Sequence, residues 1–247
     1  MVIKMNLDDI LKGNIPKKYK DTIKYIIKFI IVLLIFHYSY FLQYIPIKLL
    51  NLDTKSYNET LAVIISCFGN FLLMFIFYFI YRKDIKKEWK KFKENFWDNL
   101  NIGFYAWFVG LVIMFVSNII ISFVLKGGGA QNEQAVQGMI KTIPILMVIN
   151  AGFVAPFNEE IVFRKTLKDI FKNMYLFMLA SFLLFGGAHV IGNTKSLIDW
   201  LYIIPYGSLG AAFAYAYYKT DTIFTSMSLH MFHNLVLCVM SIVLLLI

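Results

Sequence analysis

Six ionisable or amide side chains stand among apolar residues in the second half of this sequence: Glu159, Glu160, Arg164, His189, His230 and Asn234. Their spacing is helical. Glu160 and Arg164 are four apart, as are Phe185 and His189, and His230 and Asn234, so each pair shares one helix face. A glutamate beside an arginine and a histidine in a water-poor site can take a proton from water near neutral pH. Histidine and asparagine supply donors for a developing oxyanion. Two Glu and two or three His could instead ligate zinc. There is no His-Glu-x-x-His pattern, and Arg164 beside the carboxylates disfavours a dication, so the reading adopted has no cofactor and no metal. His233, three residues from His230, is expected to face away from such a site.

The elements that carry these residues are dictated by composition. Of the 247 residues 59% are hydrophobic and 16% charged, against roughly half and a quarter in soluble domains. The apolar residues come in long runs that read as transmembrane helices. Seven spans are predicted, at about 25–43, 60–81, 102–125, 143–163, 174–191, 197–218 and 222–246. The fold class is therefore all-α, a polytopic transmembrane helical bundle. The first run is too long for a signal-peptide core and ends without a small-residue cleavage site, so it reads as a retained span. Cys67 and Cys238 lie inside apolar runs with no C-x-x-C spacing, which argues against a disulfide scaffold or thiolate zinc site.

Depth counting brings two of the site's helices together. If the fourth helix ends near Lys172 and turns near Asn173, Glu159 and His189 each lie about 22 Å from that turn. His230 lies about 15 Å from a helix start near Thr220. The sixth span carries Gly207-Ser208-Leu-Gly210-Ala211-Ala212, small residues that permit close approach. Pro156, just before the glutamates, removes a backbone donor and can leave a carbonyl open within a cavity.

Charge sets the orientation. With the N-terminus inside, 18 of the 24 Lys and Arg fall on inner segments and five on outer ones, Lys28 lying within a span. This supports a cytoplasmic N-terminus in a multi-pass cell-membrane protein. The net charge of +9 is thereby explained by topology, and no nucleic-acid partner is implied. In segment 82–100, Ile85, Trp89, Phe92 and Phe96 alternate with lysines, the pattern of a basic amphipathic helix lying on the inner leaflet. The stretch from Lys126 to Gln134 reads as a flexible outer connector. Residues 1–142 form an N-terminal membrane segment of three spans plus the amphipathic helix 82–100, and residues 143–247 form a catalytic core.

The ordered set Glu159-Glu160-x-x-x-Arg164, Phe185-x-x-x-His189 and His230-x-x-x-Asn234 resembles the motifs of the CAAX-protease and bacteriocin-processing family, also called the Abi family. The resemblance covers roughly residues 143–240. It implies an intramembrane peptidase in which Glu159 activates water and His189 helps hold it. His230 and Asn234 would stabilise the oxyanion, with Glu160 and Arg164 orienting the site. Some members of that family are thought to bind partners rather than cut, so a membrane scaffold or bacteriocin self-immunity protein is the alternative. A transporter would show broken helices repeated in two halves, whereas the polar set is confined to one. The abundance of Lys, Ile, Asn and Phe points to an AT-rich bacterial genome. The substrate expected there is a hydrophobic peptide or membrane protein, such as a bacteriocin or pheromone precursor, met within the lipid bilayer.

Overall fold

A computed structural model describes residues 17–53, 58–124, 130–192, 194 and 196–246. Lys4, Lys12, Lys55, Lys126 and Lys195, counted above in the charge balance, lie outside them. The described residues form an all-helical bundle. In order they form α1 (Lys17–His37), a 3-10 turn (Ser39–Gln43), α2 (Tyr44–Leu49), α3 (Glu59–Glu94), α4 (Phe96–Val124) and α5 (Gln131–Thr142). Then follow α6 (Pro144–Ile170), α7 (Met174–Val190), a 3-10 turn (Leu197–Tyr202), α8 (Ile203–Thr220) and α9 (Ile223–Leu246).

Among the described residues, five helical segments are long and apolar enough to cross a bilayer, and the pair Lys20–His37 and Ser39–Leu49, bent by 45°, makes a sixth if it is one span. The expected fifth span is the apolar but 17-residue α7. On α4, Phe108, Phe115 and Phe123 are 58%, 63% and 80% exposed. A face of that kind needs lipid, not water, as its solvent.

Two expectations change. Segment 82–100 is not a separate helix. Its first part is the end of the 36-residue α3, which at about 54 Å outruns a hydrocarbon core of roughly 30 Å; its last residues open α4. The aromatic stripe finds a partner within the chain: Phe92 is buried, and Trp89 and Phe92 lie 4.9 and 6.1 Å from the Phe224 ring on α9. The predicted outer connector is helical over its second half, where α5 begins at Gln131; residues 125–129 lie outside the described ones.

Small residues draw the bundle tight around α8. A methyl on Gly210 would sit 2.9 Å from the Ser181 carbonyl of α7, and one on Gly110 of α4 would sit 2.8 Å from Ala212. The close approach also makes hydrogen bonds, Ser181 Oγ donating to the Gly210 carbonyl at 2.8 Å and Ser208 Oγ to the Gly110 carbonyl at 3.1 Å. The expected turn near Asn173 is present: its side chain accepts from the amides of Tyr175 and Leu176, capping α7. The α8–α9 turn is closed by Asp221 at φ 53°, a left-handed conformation that Asp tolerates. Burial pushes the Asp221 carboxyl up, but hydrogen bonds from Lys168 (2.5 Å) and Lys91 (2.7 Å) outweigh this and hold it at about 2. Cys67 and Cys238 are buried, unbridged members of one apolar cluster.

Gly210→Val is expected to destabilise the bundle by about 1–3 kcal/mol. The check is thermal unfolding in detergent. Gly138→Ala, where the added carbon meets nothing within 4 Å, should leave the midpoint unchanged or slightly raised.

Candidate active site

The helix bearing the glutamates is irregular where the chemistry would be. Within α6, π-helical turns at Asn150–Val154 and Ile161–Lys165 bracket the α-helical segment Ala155–Glu160. Pro156 follows the first of these and has no N–H to return to the preceding turn. Such turns widen the helix and shift the register of the side chains beyond them. Here the Ala151 carbonyl of the first π-turn accepts Asn234 Nδ2 at 2.8 Å, so the carbonyl expected to open near Pro156 is taken up by α9.

The six predicted residues are brought together from α6, α7 and α9. Imidazole His230 stands between the two glutamates, Nδ1 2.9 Å from Glu160 Oε1 and Nε2 3.5 Å from Glu159 Oε2. Arg164 Nε lies 3.3 Å from the same Glu160 oxygen, confirming that residues 160 and 164 pair. Glu160 and Arg164 are fully enclosed, whereas the Glu159 side chain is 17% exposed. The two carboxylates therefore differ in access: Glu160 is a buried anchor, and Glu159 faces space.

The guanidinium of Arg164 is close to Glu160 without aligned hydrogen bonds. It is held instead by charge and ring faces, with its central carbon 4.2 Å from the Phe185 centroid and 5.3 Å from that of Phe213. Phe213 in turn stacks on His230 at 4.9 Å. The motif residue Phe185 thus has a physical task, separating Arg164 from His189, whose ring it meets at 4.4 Å. His189 Nδ1 lies 2.8 Å from the Phe185 carbonyl, which can only accept. The proton on Nδ1 is therefore given to that carbonyl. Tyr206 stacks on the other face of His189 at 4.6 Å.

A cavity of about 510 Å³ adjoins these groups, lined by Glu159, His189, His230 and Asn234, with Tyr202, Tyr206, Asn132 and Glu133 farther along. The cavity extends toward α5 and the 3-10 turn before α8, away from the lysine-rich helix ends at Lys165 to Lys172. Its walls include Met114, Asn118 and Ser122 of α4, so the N-terminal segment helps enclose it.

Sequence reasoning placed three features differently or missed them. His233 lines this cavity instead of facing away. Trp107 Nε1 donates to His233 Nδ1 at 3.4 Å; the indole can only donate, so the neutral ring carries its proton on Nε2. His230, which shares a helix face with Asn234, also engages both carboxylates. Asn70 donates to Asn150 at 3.3 Å and its carbonyl accepts from Asn158 at 3.1 Å, tying α3 to the helix of the glutamates. Among the described residues, no group of three His, Cys, Asp or Glu is arranged to hold a metal ion.

The sequence pattern of the type II CAAX prenyl endopeptidase Rce1-like family matches residues 141–236. That stretch contains every motif residue above. The chain is 29% identical over 117 residues to the "Putative membrane peptidase YdiL" of Bacillus subtilis, covering 46% of this chain and 44% of that protein. It is 30% identical over 172 residues to the "UPF0177 protein YvdC" of Lactococcus lactis, covering 68% and 61%. A Mycoplasma capricolum protein is 32% identical over 180 residues, covering 67% and 51%. The chain thus spans about half the length of the curated relatives it matches. No solved structure matches it.

Removing one member of a buried ion pair leaves the other uncompensated, at about 3–5 kcal/mol. Arg164→Leu is expected to lower unfolding stability by that amount in detergent, and Glu160→Gln combined with Arg164→Leu to recover most of it.

Proposed function

We propose, from the match of residues 141–236 to the Rce1-like family of type II CAAX prenyl endopeptidases, that this chain is an intramembrane endopeptidase that hydrolyses a peptide bond with water activated by Glu159. The observation that carries the reading is His230 held between an enclosed glutamate and an accessible one at the wall of a cavity within a membrane bundle. A bundle built only for packing has no need of a second, accessible carboxylate on that imidazole.

The chemistry follows from the partners. Arg164 keeps a negative charge on Glu160, and Glu160 accepts the Nδ1 proton of His230. The other ring nitrogen is then left facing Glu159. Glu159 removes a proton from water as the water attacks the scissile carbonyl, and His230 Nε2 steadies the carboxyl that forms. His189, on the wall of the same cavity, orients the same water. In this reading the oxyanion that develops is met by the second N–H of the Asn234 amide and the Nε2–H of His233, two residues on the cavity wall. Collapse of the tetrahedral intermediate returns the proton from Glu159 to the leaving amine, so the catalyst is regenerated without a covalent intermediate. The reacting groups all lie within residues 143–247, and the first 142 residues supply walls and braces.

The substrate in this reading is a hydrophobic peptide or membrane-protein segment, reaching Glu159 through the cavity. With the lysine-rich helix ends inside, access is from the outer face of a bacterial cell membrane. A peptide precursor such as a bacteriocin or pheromone fits that route.

Glu159→Gln is expected to lower turnover by about 10²–10⁴-fold with KM little changed, measured on pooled hydrophobic peptides with the chain in lipid nanodiscs. His189→Ala should fall in the same range. If both variants fold and the peptide products match those of the wild type, the chain is not the peptidase, and the scaffold or immunity reading takes its place. His233→Phe is expected to cost about 10²–10³-fold in kcat, with Trp107→Phe intermediate because the ring loses its fixed tautomer.

A further inference from the structure

Glu88 lies two turns before the end of α3, in a stretch of lysines, yet it is buried. It touches both helices that carry the carboxylate–imidazole pair. Its Oε1 accepts from Lys165 Nζ at 2.6 Å and from the Tyr217 hydroxyl at 3.0 Å. Its Oε2 accepts from the backbone N–H of Ile223 at 2.7 Å, and its main-chain carbonyl from Thr222 Oγ1 at 3.0 Å.

These contacts fall at specific positions. Lys165 is the residue after Arg164 and ends the second π-turn of α6. Ile223 opens α9, where the first amides have no partner in their own helix. His230 is seven residues on, two turns along the same face and about 10 Å away; Ile223, Met227 and His230 are all buried. One carboxylate therefore sets the axial height of α9 against the height of the glutamate-bearing helix. The exposed pairs of Asp221 with Lys168 and Lys91 repeat the same three-helix link one layer out.

We propose that Glu88 is a positioning residue of the active site, fixing His230 in register with Glu159 and Glu160 through Lys165 and the first amide of α9. The proposal rests on Glu159 and His230 being the reacting pair, but its geometric part can be read without any substrate. A one-ångström misplacement of catalytic groups costs on the order of a hundredfold in rate, so the clamp acts on kcat more than on KM.

The test uses the full chain in nanodiscs with ¹⁵N-labelled histidine. The His230 signals are assigned by their loss in His230→Gln, and chain folding is followed by thermal unfolding. Lys165→Met is expected to shift the His230 ring-nitrogen resonances and to lower kcat on the peptides that wild type cleaves by about tenfold to hundredfold, with KM within about twofold. Glu88→Gln combined with Lys165→Met is expected to restore the unfolding midpoint, since no carboxylate is then buried without its cation, but to leave the His230 resonances shifted and kcat low, because the link from α3 to residue 165 is still absent. That double variant keeps the test open if Glu88→Ala fails to fold. Unmoved His230 resonances in a folded Lys165→Met chain, or wild-type resonances and kcat in the double variant, would overturn the proposal. Moved resonances in a chain that cleaves nothing, wild type included, would leave the clamp standing and remove the peptidase reading.

Discussion

The enclosed contact among Glu160, Arg164 and His230 is the constraint around which this bundle is organised. An isolated charge in an apolar interior is strongly unfavourable, and it persists only when paired. Glu160 and Arg164 are fully enclosed, so α9 must come close enough to present His230, and α7 and α8 must present Phe185 and Phe213 to cover the guanidinium. The glycine and serine contacts of α8 with α4 and α7 are what permit that approach. Glu159, one residue before the anchor, is left on the accessible side of the same imidazole.

Much of this could be read from residue types and spacing. The expected pairing of Glu160 with Arg164 and the turn capped by Asn173 are both present. The i, i+4 rule and the 1.5 Å rise per residue suffice for those features because they are local. The small-residue patch at Gly207 to Ala212 likewise signalled close packing through side-chain size alone.

What escaped was set by contacts distant in sequence. Glu88 amid Lys86, Lys87, Lys90 and Lys91 looks like part of a solvated charged face, and only the arrival of Lys165, Tyr217 and Ile223 makes it a buried hub. The Trp89 and Phe92 stripe has the pattern of a lipid-facing helix, and nothing local names Phe224 as its partner. The π-turns of α6 rotate side chains beyond them, and Pro156 was their one visible signal. His233 was judged by its offset from His230 on an ideal helix; the breadth of the cavity and the donor from Trp107 bring it into the site. Glu159, His189, His233 and Asn234 then line one space, the arrangement on which the proposed water attack rests.

Attack by free water leaves a distinct isotopic record. A single turnover of a cleaved hydrophobic peptide in H₂¹⁸O, read by mass spectrometry of both the products and the chain itself, tests it most directly. Water activated by Glu159 places one ¹⁸O in the new carboxyl terminus and leaves the chain's mass unchanged throughout the turnover. A peptide fragment found covalently attached to the chain, or cleavage that persists unaltered in Glu159→Gln, would contradict it.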